Sequence, residues 1–170
     1  MAQPNLSGYS QLPVKPSSTV QHAVTKGRTE EVRTQLQQAG ADWYDLKLPE
    51  TDALPTVMRP AERVLGVVYG RYHHLAFEGE QVSRGMLVAT DQRLLLLNKK
   101  PLFIRCDEIM YEVVSSVSYA QAGFGGTVTL HSKIGDIMVR TFNQHCAVGF
   151  ISALEGRLFA LRVGQEVFHG

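Results

Sequence analysis

Residues 85–100, GMLVATDQRLLLLNKK, decide the fold. A short apolar segment leads to the turn residues Asp91-Gln92, and four consecutive leucines follow. Two short apolar runs joined by two turn residues predict a β-hairpin. Because successive side chains of a strand point to opposite faces of the sheet, Leu95 and Leu97 face one way and the other two leucines face the opposite way. Both faces of this strand therefore need apolar cover.

The surrounding sequence continues the period of two. Residues 64–75 are rich in β-branched and aromatic types, and Gly66 and Gly70 lie four apart on one face, as in a strand that bends. About seven such segments follow one another at the spacing typical of an all-β sandwich or barrel. They are 64–75, 86–90, 93–98, 102–106, 113–121, 127–132 and 136–142.

Helical periods flank the strands. Asn143 is a suitable N-cap, and apolar residues at helical spacing over 147–161 predict an amphipathic C-terminal helix that stops at Gly164. On the N-terminal side, Thr29 as N-cap and Gly40 as stop predict a short helix, with a separate helix over 20–26 as an option.

These patterns divide the chain into four parts. Residues 1–18, with three prolines and many polar residues, are expected to be a disordered tail. A helical extension and proline-containing connector over 19–57 follows, in which Trp43 and Tyr44 are the expected anchors. The main domain covers 58–164, and 165–170 form a C-terminal tail.

The composition limits the classes of function. The 170 residues are 44% hydrophobic with a formal net charge of +1, so no overall positive field would draw the chain onto nucleic acid. Cys106 and Cys146 are expected as reduced thiols. No apolar run approaches the roughly 20 residues of a membrane span, and no secretion signal is recognisable. We expect a cytoplasmic protein without a nucleic-acid partner.

Seven short antiparallel strands followed by one amphipathic helix resemble a pleckstrin-homology (PH) barrel. The sequence over 58–161 resembles the bacterial PH-like domains, in particular the YokE-like group and the related GRAM domains. The positions that match their signature are Glu62, Gly85, Thr90, Arg93 and Leu94. The resemblance implies a mainly β (α+β) fold with two near-orthogonal sheets, capped by the C-terminal helix. Arg93 is expected to pair with Glu62 or Asp91.

Many PH domains hold an inositol phosphate headgroup between their first two strands with lysine and arginine. The corresponding segment here offers Arg71 and Arg84, but Glu78 and Glu80 in its loop would repel phosphate. The headgroup pattern is therefore broken. A weaker attachment to anionic membrane lipid remains as an alternative function, through a small basic patch of Arg71, Arg84, Lys99 and Lys100, to which Arg105 and Arg140 could contribute.

Catalytic and metal-binding patterns are missing from the sequence. His73 and His74 are neighbours on a strand and point to opposite faces, and no close pair of zinc ligands occurs. GFGG, residues 123–126, lacks the spacing of a phosphate loop, and no G-x-S-x-G is present. We expect no enzymatic activity, no metal and no cofactor.

The outward pair of leucines suggests the function. Leu95 and Leu97 need cover, either from the N-terminal helix and the Trp43-Tyr44 connector or from another subunit. We therefore predict a non-enzymatic adaptor or assembly module. It would bind a protein partner or form a homo-oligomer through Leu95, Leu97, Trp43 and Tyr44.

Overall fold

The computed structural model describes residues 18–74 and 82–167, with side chains described over 25–73 and 82–164. The helices are α1 (Ser18–Gln38), α2 (Pro49–Val57) and α3 (Gln144–Val167), with 3₁₀ turns at Asp45–Lys47 and Tyr111–Val113. The strands are β1 (Val64–His74), β2 (Ser83–Thr90), β3 (Leu94–Lys99), β4 (Ile104–Ile109), β5 (Val114–Ala122), β6 (Gly125–Ser132) and β7 (Ile137–Thr141). The predicted seven strands, C-terminal helix and N-terminal helical extension are all present.

The seven strands form one antiparallel sheet in the order β4-β3-β2-β1-β7-β6-β5. β1 joins the two halves, because it pairs with β2 along most of its length and with β7 only over 71–74. The predicted hairpin turn is confirmed, with the Thr90 N–H donating to the Arg93 carbonyl over 2.9 Å. Instead of two separate sheets, the strands thus form a continuous sheet that folds over at β1.

One apolar core lies inside the folded sheet, and α3 closes it. Phe150 and Leu154 of α3 are fully buried there beside Leu94 and Leu96 of β3. The helix comes very close to β1, since a Cβ built at Gly66 would lie 2.9 Å from the Cα of Phe150. A glycine at this position therefore lets α3 seat against the strand.

A second apolar core lies on the outer face of the same sheet, under the N-terminal extension. Leu36 of α1 and Leu54 of α2 are fully buried in it with Leu95 and Leu97. Of the two covers that the sequence allowed, the structure contains the first, the N-terminal helices of the same chain. The prediction that Leu95 and Leu97 form an interaction face was therefore wrong, because neither is accessible to a partner.

Three further expectations need correction. Trp43 and Tyr44 do not anchor the connector, since they are 70% and 55% exposed. α1 is one helix from Ser18, and the Thr29 hydroxyl donates to the Thr25 carbonyl over 3.0 Å instead of capping a new helix. α3 continues past Gly164 to Val167. A glycine inside a helix costs only about 1 kcal/mol, which packing elsewhere along the helix can offset.

The predicted tails lie mostly beyond the described residues. Within 1–18 only Ser18 is described, and it is helical. Residues 165–167 of the expected C-terminal tail belong to α3, and 168–170 lie outside the description.

A buried ion pair joins the segment between α2 and β1 to the start of β3. The Arg93 side chain is 2% exposed and that of Glu62 0% exposed. Arg93 Nε and Nη2 donate to the two carboxylate oxygens of Glu62, each over 3.0 Å, and Nη2 also donates to the Val57 carbonyl at the end of α2. The predicted pairing of Arg93 with Glu62 is confirmed, whereas Asp91 pairs with Arg63.

Further hydrogen bonds set the charge of Glu62. Its carboxylate also accepts from the Thr90 hydroxyl over 2.8 Å and from the Arg59 N–H over 2.6 Å. Burial alone would raise the pKa of Glu62, but the hydrogen bonds from Arg93, Arg59 and Thr90 outweigh it and lower the pKa. Glu62 is therefore a buried carboxylate whose charge is stabilised by its partners.

Candidate anion-binding site

A cavity of about 730 Å³ opens on the outer face of the sheet, where the cover by the N-terminal helices ends. Arg71, Arg84, Lys99 and Lys100 all line it, and Arg140 lines it with them. The structure thus brings the four basic residues singled out from the sequence to one place. Their role in binding an anion remains a prediction.

Strand pairing aligns four of these cations in one row. Arg71 of β1 lies directly opposite Arg84 of β2 and, on its other side, opposite Arg140 of β7. The pairing of β2 with β3 ends at Met86 and Leu97, and Lys99 lies two residues further along β3 on the same face. We call these four residues the basic row. Neighbouring strands are about 4.8 Å apart, so the row is about 14 Å long.

The basic row lies on the sheet face that carries the outer core. Three residues of the outer core lie two positions from a row residue on the same strand. They are Tyr69 next to Arg71, Met86 next to Arg84 and Leu97 next to Lys99. A two-residue step returns to the same face. The outer face therefore changes from apolar to cationic at the point where the helices stop covering it.

Like charges at directly opposed positions destabilise a sheet by about 0.2–1 kcal/mol per pair. Among the described side chains, those of residues 25–73 and 82–164, no carboxylate forms an ion pair with a residue of the basic row or with Lys100. Arg105, by contrast, pairs with Asp107 over 3.0 Å and does not line the cavity. Glu78 and Glu80, which the sequence suggested would repel phosphate, lie outside the described residues.

Three carboxylates line the same cavity as the cations, and each accepts hydrogen bonds from the protein itself. Asp42 accepts from the N–H of Tyr44 over 2.8 Å, and Glu50 accepts from the N–H of Lys99 over 3.1 Å. Asp45 accepts from the amide of Asn143 over 2.8 Å. Burial raises the pKa of Asp45, although the bond from Asn143 opposes this. These bonds hold the connector against the sheet, and Glu50 lies next to the backbone of row residue Lys99.

Exposed apolar side chains occur in three segments that line the cavity or lie within three residues of its lining. Tyr44 of the connector and Phe142, between β7 and α3, line it, and Trp43 contacts Tyr44 edge to face. Leu102 and Phe103 are 95% and 60% exposed in the turn that follows Lys99 and Lys100. We call these five residues the apolar rim.

A second polar cluster, not recognised in the sequence, connects Ser118, His131 and Asp136. The Ser118 hydroxyl is 3.2 Å from His131 Nε2, and His131 Nδ1 is 2.9 Å from the Asp136 carboxylate. This order of groups occurs in serine hydrolases, which also need a substrate cleft beside the serine. These three residues line neither the cavity of the basic row nor the smaller cavity between β5 and α3, so neither cavity supplies such a cleft.

The histidines and cysteines do not come together as a metal site. Among the described residues, no group of three or more histidine, cysteine or acidic side chains has the arrangement needed to hold a metal ion. Cys146 is fully buried, and burial raises its pKa to about 12, so it is held as a neutral thiol in the outer core.

Comparisons with solved structures find PH domains. The N-terminal PH domain of Vps36 is 16% identical with a TM-score of 0.49, over 63% of this chain and 86% of that one. A DUF1696 family protein with a pleckstrin-homology domain from Shewanella loihica PV-4 is 12% identical with a TM-score of 0.42, over 69% and 98%. No curated protein matches the chain. No helix among the described residues is long and apolar enough to cross a membrane.

A family model described as the bacterial PH domain matches residues 58–155, which is more than half of the chain. The match covers all seven strands and the first half of α3. It includes the Glu62–Arg93 pair and the whole basic row, and it leaves out α1 and α2. The chain belongs to the bacterial PH domain family.

Proposed function

We propose that the protein is a non-enzymatic module that attaches to anionic membrane surfaces through the basic row. PH domains commonly mediate protein or lipid interactions, and this chain has their fold. The observation that carries the proposal is the alignment of Arg71, Arg84, Arg140 and Lys99 on four neighbouring strands without an acidic partner among the described residues.

The dimensions of the basic row favour a ligand with several negative charges. A row about 14 Å long contacts more than one phosphate or carboxylate at a time, since a single such group spans only one or two strands. The formal net charge of the whole chain is only +1, so attraction to an anionic surface would depend on local clusters such as the basic row. A surface of anionic headgroups presents many charges at once, and each basic residue near it contributes about 1 kcal/mol.

The apolar rim favours a membrane over a soluble polyanion. Leu102 and Phe103 stand beside the cations, and a soluble ligand of high charge would gain nothing from them. Binding of a protein partner through Trp43 and Tyr44 remains the competing function, because both side chains are exposed.

Vesicle flotation tests the proposal. The full chain is mixed with phosphatidylcholine vesicles, with or without phosphatidylserine in a three-to-one ratio, at increasing salt. We expect the protein to bind only the vesicles that contain phosphatidylserine, and to bind them more weakly as added salt screens the charges. Arg71→Gln and Arg84→Gln should each weaken binding about five-fold, which corresponds to about 1 kcal/mol.

Lys133→Gln is the matched control, because Lys133 is exposed in the turn between β6 and β7 and does not line the cavity. It should bind like the unchanged chain. Equal binding to both kinds of vesicle, or an equal loss in the control, would refute the proposal.

A further inference from the structure

We infer that the apolar rim inserts into the bilayer and so fixes the orientation in which the protein lies on the membrane. This inference rests on the proposed membrane attachment and adds to it a specific contact with the lipid interior. It assigns a role to five exposed side chains that neither core uses.

Leu102 and Phe103 are placed to enter the bilayer most deeply. They occupy the turn between β3 and β4, and the preceding strand ends in row residue Lys99. The turn is closed by a hydrogen bond from the Lys100 N–H to the Phe103 carbonyl over 2.9 Å. A turn held in this way already projects its side chains, so insertion would require little additional ordering.

Phe142 supplies a second contact from another part of the chain. It is exposed and lines the cavity two residues after Arg140. The segment around it is fixed, because the Asn143 N–H donates to the Thr141 hydroxyl over 3.1 Å and Asn143 caps α3 through the Cys146 N–H. An aromatic ring is thereby held next to the end of the basic row.

Trp43 and Tyr44 suit the headgroup level of the membrane. Their rings meet edge to face at 6.2 Å, and the Lys47 ammonium lies 4.6 Å from the Trp43 ring centroid. Tryptophan and tyrosine concentrate at membrane–water interfaces because their rings are apolar and carry one polar group.

Charge and apolar area act together in such a contact. Interfacial binding strength scales with buried apolar area plus the attraction of basic residues for anionic lipid, and stable attachment usually needs two such contributions. The basic row provides one and the apolar rim provides the other. Tyr44 and Phe142 line the same cavity as the row, and the other rim residues lie within three residues of its lining. Phe159, an equally exposed aromatic residue on α3, lines the smaller cavity between α3 and β5 instead.

The single tryptophan of the chain makes insertion measurable, because Trp43 belongs to the rim. Phosphatidylcholine–phosphatidylserine vesicles in a three-to-one ratio are prepared with acyl chains brominated close to the headgroup, which quench tryptophan at the membrane interface. We expect Trp43 emission to be quenched on binding and to shift to shorter wavelength. The double variant Leu102→Ser/Phe103→Ser should partition about ten-fold less, since two side chains no longer leave water.

Phe159→Ser is the matched control and should partition like the unchanged chain. Both rim positions are exposed, so the double variant should melt at the same temperature as the parent, which circular dichroism checks. Binding with unquenched Trp43, together with full partitioning of the double variant, would overturn this inference and leave the proposed function standing. If the protein does not bind vesicles that contain phosphatidylserine at all, both this inference and the proposed function would be overturned.

Discussion

Replacing Glu62 by glutamine tests the main physical claim about the fold, that a buried ion pair joins the segment between α2 and β1 to the start of β3. The substitution keeps the size of the side chain and removes its charge. Arg93 would then remain buried at 2% exposure, facing a neutral amide in place of a carboxylate. Removing one partner of a buried ion pair costs about 3–5 kcal/mol.

The structure places the expected loss at the lower end of that range. Arg93 keeps a second partner, because it also contacts the half-exposed carboxylate of Glu108. Against this, a glutamine amide cannot accept all four hydrogen bonds that the Glu62 carboxylate receives from Arg93, Thr90 and Arg59. We therefore expect Glu62→Gln to lower the free energy of unfolding by about 3 kcal/mol.

Urea denaturation followed by circular dichroism measures this loss. The control is Arg63→Gln, which removes an exposed ion pair with Asp91 next to the same strand end and should cost less than about 1 kcal/mol. The reasoning is refuted if Glu62→Gln loses no more stability than Arg63→Gln.

Three further predictions concern the outer core, the loss of stability at low pH and the basic row. Leu97→Ala should lower the free energy of unfolding by about 2–5 kcal/mol in urea without changing the oligomeric state in sedimentation, since Leu97 is buried within one chain. The pKa of Glu62 is lowered from its ordinary 4.5, so the ionised carboxylate stabilises the folded protein fully above pH 4.5. This stabilisation is lost as the pH falls through the lower pKa of the folded state. The free energy of unfolding of Glu62→Gln, measured against pH, should therefore fall less steeply in acid than that of the parent. Arg71→Gln should raise the melting temperature slightly while weakening vesicle binding, because it relieves repulsion from Arg84 and Arg140; a lower melting temperature would contradict this.

The sequence predicts local pairings better than distant ones. The period of two and the Asp91-Gln92 turn are sufficient to predict the β2–β3 hairpin, whereas the sequence left both Glu62 and Asp91 open as partners of Arg93. The pattern of leucines shows that both faces of β3 need cover. It cannot say whether a helix of the same chain or another subunit supplies it, because periodicity records which faces are apolar and not what touches them.

The candidate site was predictable only in part, for the same reason. Arg71, Arg84, Lys99 and Lys100 belong to three consecutive strands, so hairpin reasoning brings them together. Arg140 joins them through the pairing of β1 with β7, which are far apart in the sequence. The apolar rim combines residues from three segments, and the signal that could have suggested it is the sequence KKPLF, where two apolar residues follow two lysines in a turn.

The outer core also constrains how the chain is made. α1 and α2 emerge from the ribosome before β2 and β3 do, so Leu36 and Leu54 are at first without the sheet face that later covers them. During that interval these leucines are exposed to chaperones and to neighbouring nascent chains. Production of residues 58–170 alone would create the reverse problem, since Leu95 and Leu97 would be completed without any cover and would promote aggregation.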